Sequence, residues 1–264
     1  MDGIEDRAAF AATLCREAGE RAKAYFTDRD MLAVDRKGAQ DWVSEADRAV
    51  ERLIRERLAR DWPDDGIHGE EYGAEPGTSG FTWVIDPIDG TTNFLNGLPF
   101  WCVVLAGVAQ GRTQIGVIRA PMQGETFAAV QGGGATLDGT PMRVADGTAL
   151  ADATVAVGYS NRASPGQVVA VVADLVERGA MFHRNASGAL SLAYIAAGRL
   201  SGYLEVHMNA WDCLAGQLLI AEAGGVVEDQ DANAMLRDGG RVVAGTQAVF
   251  TDLKAIADKA WQGA

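Results

Sequence analysis

The stretch Trp83-Val84-Ile85-Asp86-Pro87-Ile88-Asp89-Gly90-Thr91-Thr92-Asn93-Phe94 decides how this chain is read. The apolar run 81–85 predicts a buried strand that ends in two acids on either side of a Pro-Ile pair. Two carboxylates buried at a strand end are costly unless a cation neutralises them. Hard oxygen ligands on adjacent turns suit Mg²⁺, Mn²⁺ or Ca²⁺ better than Zn²⁺. Gly90-Thr91-Thr92 offers backbone N–H groups and hydroxyls suited to a phosphate. Metal beside phosphate is the skeleton of a phosphate-hydrolysis site. Asp-Pro and Asp-Gly are also common turn dipeptides, so these two acids taken alone also fit a solvated turn.

Composition narrows the choices. The chain has 264 residues, 48% of them hydrophobic, enough for a sizeable core. Its formal net charge of −13 disfavours nucleic acid and anionic membrane as partners, and it means that a phosphate must meet a locally neutralised site. No apolar run approaches the roughly 20 residues of a membrane span. The acidic start, Met1 to Asp6, has no signal-peptide pattern, and Cys15, Cys102 and Cys213 form no CxxC pair. These features predict a cytoplasmic protein with reduced, buried thiols.

Around the opening stretch, periodicity predicts helices at 5–26 and 45–60, the second entered through Ser44 and Asp47. Residues 27–42, with Lys37, are expected to form a hairpin or loop, and 73–80 a loop. A strand meander is expected at 101–109, 113–120, 124–130 and 134–144. Mixed elements follow: strands at 153–158, 202–206, 226–227 and 241–244, and helices at 165–178, 188–198, 211–223 and 246–262. Phe94, Leu98, Phe100 and Trp101 are expected to pack beneath the acidic strand end. The length fits one domain over 1–264, made of two closely packed lobes divided at roughly residue 150.

Three acidic stations recur beside apolar segments and Gly turns: Gly69-Glu70-Glu71, Asp86 with Asp89, and Asp212 after Trp211. Each alone has a bland explanation, a solvated loop or a helix cap. Together they form a pattern. The segment 86–94 resembles the first signature of the inositol monophosphatase family. Trp211-Asp212-Cys213-Leu214-Ala215-Gly216, with 219–225, resembles the second, and Gly69-Glu70-Glu71 resembles that family's Gly-Glu-Glu station.

The resemblance implies an α/β (α+β) fold, a layered αβαβα sandwich of the inositol monophosphatase / fructose-1,6-bisphosphatase type. It implies a Li⁺-sensitive, Mg²⁺-dependent phosphatase acting on a small phosphorylated metabolite, with two or three Mg²⁺ replaceable by Mn²⁺, and a homodimer. Residue by residue it implies Glu70, Asp86 and the Ile88 carbonyl as ligands of one ion, and Asp86, Asp89 and Asp212 as ligands of a second. Gly90 and Thr91 correspond to the phosphate-binding positions. Thr91, Asp47 and Glu70 correspond to groups that orient the attacking water. Lys37 falls on the loop near a third ion, and Glu205, Ser187 and Gly188 fall in the alcohol pocket.

The order Ala186-Ser187-Gly188 departs from the usual pattern, as does the segment 202–212 with His207 and Asn209. The expected activity is that of an inositol-1-monophosphatase. Histidinol-phosphate phosphatase is the alternative, followed by a fructose-1,6-bisphosphatase or a nucleotide phosphatase. No second basic cluster is visible for a bisphosphate, with Arg184 and Arg199 isolated in the sequence. A metal-binding regulatory protein without catalysis is the non-enzyme alternative.

Overall fold

The structure, a computed structural model, describes residues 3–28, 34–38 and 41–261. It begins with α1 (Ile4–Thr27), the hairpin β1 (Val34–Gly38) and β2 (Asp41–Ser44), and α2 (Glu45–Asp61). Then come β3 (Gly66–Gly69), β4 (Gly73–Glu75), β5 (Phe81–Asp89) and α3 (Thr91–Leu95). A meander follows: β6 (Cys102–Ala109), β7 (Arg112–Ala120), β8 (Glu125–Val130), β9 (Gly134–Leu137) and β10 (Thr140–Pro141). The remainder is β11 (Thr154–Val157), α4 (Pro165–Glu177), β12 (Met181–His183), α5 (Gly188–Ala196), β13 (Gly202–Met208), α6 (Ala210–Glu222), β14 (Val226–Val227), α7 (Ala232–Asp238), β15 (Gly240–Gly245) and α8 (Phe250–Ala260).

Strand periodicity sorts these elements into five layers. Alternate residues of a strand face opposite sides. In the eight-stranded sheet β10-β9-β8-β7-β6-β5-β3-β4, Trp83, Ile85, Val103 and Leu105 point towards α1 and α2. Val84, Val104 and Ala106 point the other way, onto α5 and α6. The five-stranded sheet β12-β11-β13-β15-β14 covers the far side of those two helices with Tyr203, Val242 and Ala244. Its outer face, Leu204 and Val243 among others, carries α4 and α8. The result is an αβαβα sandwich in which α5 and α6 are enclosed between the sheets. This explains their all-round apolar composition and their near-complete burial.

The acidic strand runs further than the apolar run suggests. β5 continues through Pro87 to Asp89, and its ladder with β6 shifts register between Asp86, opposite Val104, and Asp89, opposite Cys102. Three steps on β5 thus match two on β6, which is a bulge, a position where Pro, with no N–H to give, is tolerated. Residues three apart on a regular strand face opposite sides. The extra residue turns Asp86 and Asp89 to the same one.

The structure corrects several sequence expectations. Residues 73–75 of the expected loop form the short edge strand β4. Phe94 and Trp101 do lie in the core, stacked edge-on at 4.9 Å and joined by Phe26. Leu98 and Phe100 do not; they are 47% and 41% exposed on the turn after α3. The final helix starts at Phe250, not at 246, because Thr246 and Val249 make the turn that leads into it. Lys37 lies on β1, paired with β2, and its side chain lies outside the described residues.

Candidate active site

Three element ends converge between the sheets. Asp86 and Asp89 come from the bulged end of β5, and Asp212 from the first turn of α6. One carboxylate oxygen from each lies within 4.8 Å of the others, a grouping that could hold a metal ion. Asp212 is placed by a capping box: Asn209, at the N-cap, donates to it from its backbone N–H and from its side-chain amide, each at 3.1 Å. Glu70 follows β3, which pairs in parallel with β5, and its N–H donates to the Ile85 carbonyl at 3.2 Å. That one hydrogen bond sets the Glu70 station beside Asp86.

Electrostatics mark this cluster as incomplete by itself. Burial pushes the Asp86 carboxyl well above the usual range, and Glu70, Asp89, Asp212 and Asp47 push it further. Asp212 is raised to about 7, by burial first and by Asp89 second. Asp89 is raised by burial, against the pull of donors from Ser187 and Ala189. Carboxylates in this state need a proton or a cation. A divalent ion with oxygen ligands fits the three-carboxylate donor set; the nearby Cys102 thiol, 3.6 Å from Asp89, is pushed up by burial and stays protonated beside it.

The Gly90 turn is built for close approach. Gly90 has φ of +92°, and a Cβ there would sit 2.8 Å from the Phe100 carbonyl oxygen. Only glycine fits at this turn into α3. The Thr91 hydroxyl donates to the Ile88 carbonyl at 3.0 Å and makes a longer contact of 3.4 Å with Asp47 Oδ1. The other Asp47 oxygen accepts the N–H and hydroxyl of Ser44, at 2.8 and 2.5 Å, so the fully buried start of α2 fixes it.

The far wall is the segment 184–189. The Ser187 hydroxyl donates to Asp89, and Ala189 N–H donates to the same oxygen at 2.9 Å. Gly188 N–H reaches the other oxygen at 3.3 Å. Asp89 therefore also satisfies the first turn of α5. Asn93, on α3, ties this wall to the turn before β6, its amide donating to the carbonyls of Phe100 and Asn185, each at 2.6 Å. Asn185 keeps a side-chain Nδ2 without a partner, although the residue is buried.

A cavity of about 190 Å³ opens here, lined by Asp89, Asn185, Ser187, Gly188, Glu205 and Asp212 among others. Glu205, on β13, accepts a hydrogen bond from the Tyr203 hydroxyl, and burial first, then Asp212, raises its carboxyl to about 8. A second cavity of about 440 Å³ adjoins it, sharing Tyr159, Glu205 and Asp212 and reaching Glu70 and Trp211.

Sequence reasoning missed the supports. Glu51 is fully buried on α2, accepts the N–H groups of Glu71 and Tyr72 at 2.8 and 3.3 Å, and pairs with Arg55 at 2.8 Å. A Cβ on Gly69 would lie 2.6 Å from the Glu51 carboxyl carbon, so that glycine is what lets the clamp close. All three cysteines are buried and reduced, and burial pushes each thiol up, which disfavours a nucleophilic role. His68 stacks on Trp211 at 5.5 Å.

A layered sandwich with carboxylates gathered at its strand and helix ends, next to a glycine turn, defines a class of metal-using α/β proteins. The particular family follows from comparison: the chain belongs to the inositol monophosphatase family, whose model matches residues 4–262. It is 38% identical over 251 residues to a Haemophilus influenzae protein named Nus factor SuhB, covering 93% of this chain and 94% of that one. It is 39% identical over 236 residues to an inositol-1-monophosphatase of Mesorhizobium japonicum, covering 88% and 89%. The inositol monophosphatase structure from Thermotoga maritima superposes with a TM-score of 0.87 at 30% identity, covering 97% of this chain and 98% of that one. The family acts on small phosphorylated substrates and is metal-dependent. Among the described residues no helix is long and apolar enough to cross a membrane.

Proposed function

We propose that this chain is a Mg²⁺-dependent phosphate monoester hydrolase of the inositol-1-monophosphatase type. The observation that carries this reading is the convergence of Asp86, Asp89 and Asp212 within 4.8 Å, beside the Gly90 turn where only glycine fits. Glu70, Asp86 and the Ile88 carbonyl would hold one ion, and Asp86, Asp89 and Asp212 a second. Bound there, the ions would supply charge neutralisation at the phosphate and a water of lowered pKa.

The remaining roles belong to the protein's own groups. The N–H groups of Gly90 and Thr91 bind phosphate oxygens. Asp47, fixed by Ser44, orients the Thr91 hydroxyl, which in turn holds the attacking water with Glu70. Glu205 faces the alcohol half of the ester in a cavity that Asn185 and Ser187 also line, with the Ser187 hydroxyl engaged by Asp89. A polyol monophosphate fits this hydrogen-bonding wall, with the amine of histidinol phosphate as the alternative partner for Glu205.

The SuhB relatives named Nus factor favour a second reading, a role for the chain outside catalysis. With a net charge of −13, such a role fits protein contact better than direct contact with nucleic acid. Phosphate release from a panel of monoesters in Mg²⁺, lost on adding a chelator, separates the two. Release supports the hydrolase. Its absence from every ester leaves the second reading.

A further inference from the structure

The geometry points to Tyr203 as a positioning residue for the alcohol half of the ester: its hydroxyl holds Glu205 so that one carboxylate oxygen is left for a substrate hydroxyl. The inference rests on the hydrolase reading and adds to it the group that sets Glu205.

Strand geometry brings the pair together. Tyr203 and Glu205 are two residues apart on β13, so their side chains leave the same face of the sheet, while Leu204 between them packs on the other. The ladder of β13 with β15 is regular as far as Glu205, opposite Val242, and bulges only beyond it. On the other edge β13 pairs in parallel with β11 up to Leu204, opposite Val157, and the Gly158 N–H donates to the Leu204 carbonyl at 2.9 Å. The backbone under the pair is thus fixed from both sides.

Two glycines make room for the pair. A Cβ on Gly158 would collide with both the Tyr203 hydroxyl and the Glu205 carboxylate. A Cβ on Gly188, the first residue of α5, would lie 3.2 Å from the same hydroxyl and 2.6 Å from Met208 Cε. The phenol oxygen is therefore enclosed between the end of β11 and the start of α5.

The hydrogen bond has a fixed direction. Burial, then the Glu205 charge, pushes the Tyr203 phenol well up, so it keeps its proton and donates. Burial raises the Glu205 carboxyl to about 8, and the Tyr203 hydroxyl pulls against that rise. The bond occupies Oε2. Oε1 has no hydrogen bond among the described residues and is not sealed from solvent. Glu205 lines both cavities, so Oε1 is the oxygen that the alcohol meets. A hydroxyl both donates and accepts, and so can bond Oε1 whether the carboxyl is ionised or protonated. A neighbour's hydrogen bond that locks such a group keeps it at productive geometry.

The test compares a hexitol monophosphate with hexyl phosphate, the same chain without its hydroxyls. Wild-type protein in Mg²⁺ should have the higher kcat/KM for the hexitol ester. Y203F keeps the buried ring and removes only the hydroxyl, so it should fold as wild type. It should reduce the preference for the hexitol ester about tenfold, the worth of one hydrogen bond to a charged group. In an E205A background the same change should alter the preference by less than about twofold, because the partner through which Tyr203 acts is gone. No preference in wild type, a preference unchanged in Y203F, or an effect of full size in the E205A background overturns the inference. If wild type hydrolyses neither ester, the hydrolase reading has failed, and the hold on Glu205 is read by carboxyl-carbon NMR. The Glu205 signal, identified by its loss in E205A, should titrate at higher pH in Y203F than in wild type, since the phenol stabilises the ionised form. Titration at the same pH in both overturns the hold.

Discussion

The buried Glu51 carboxylate accepts the backbone N–H of Glu71 at 2.8 Å, and so holds from behind the turn whose front carries Glu70. Outer partners of metal ligands commonly set affinity by 10–100-fold. E51Q keeps an acceptor but loses the charge that balances Arg55. We expect the Mg²⁺ concentration for half-maximal activity to rise about tenfold. E75Q, which removes only the exposed partner of Arg55, should change stability by less than about 0.5 kcal/mol. Equal Mg²⁺ dependence in E51Q and wild type would remove the clamp from the account.

The acidic cluster predicts how stability follows pH without metal. Asp212 moves from an ordinary 3.8 to about 7 in the fold, and Glu205 from 4.5 to about 8. Both folded values lie above the unfolded ones, so the native state binds the extra protons. Their contribution is fully present below pH 4 and is lost as pH rises through 7 to 8. Chelated protein should therefore be stabilised more by Mg²⁺ at pH 8 than at pH 5, because the ions take the place of the missing protons. Thermal melts in chelator and in Mg²⁺ at both pH values check this. An Mg²⁺ effect of the same size at both would contradict it.

Gly90 gives a backbone test. G90A places a Cβ against the Phe100 carbonyl at a residue with φ of +92°. Strain of about 1–3 kcal/mol is expected, with loss of the turn that offers its N–H groups. Activity should fall by well over tenfold even under conditions where the variant remains folded by circular dichroism. Full activity in G90A would exclude the turn as the phosphate cradle.

Ser187 separates positioning from substrate contact. Its hydroxyl donates to Asp89 rather than standing free in the pocket. S187A should weaken Mg²⁺ dependence more than it raises KM for the ester. A rise in KM alone would assign Ser187 to the alcohol.

What was legible in the sequence follows chain distance. Asp86, Asp89 and the glycine turn lie within one short stretch, α1 and α2 carry long, regular patterns, and α6 is bracketed by Trp211-Asp212 and Gly224-Gly225, so these could be read directly. The bulge at Pro87 could be suspected from Pro inside a strand, but its result, Asp86 and Asp89 on one face, needs the register with β6. The short β4, β12 and α7 are too brief to show a period, and tertiary pairing makes them. Glu51 and the Asn93 bridge to Asn185 depend on contacts between distant segments. No local pattern announces them.

The central claim is that Asp86 joins the metal-holding carboxylates of a phosphatase. The most direct measurement is phosphate release from inositol 1-phosphate by wild type and D86N at saturating Mg²⁺, with folding of both followed by circular dichroism. The account predicts steady release by wild type, abolished by chelator, and a loss of at least about a thousandfold in folded D86N, the scale of removing a principal electrostatic group. Turnover by D86N close to wild type would contradict it.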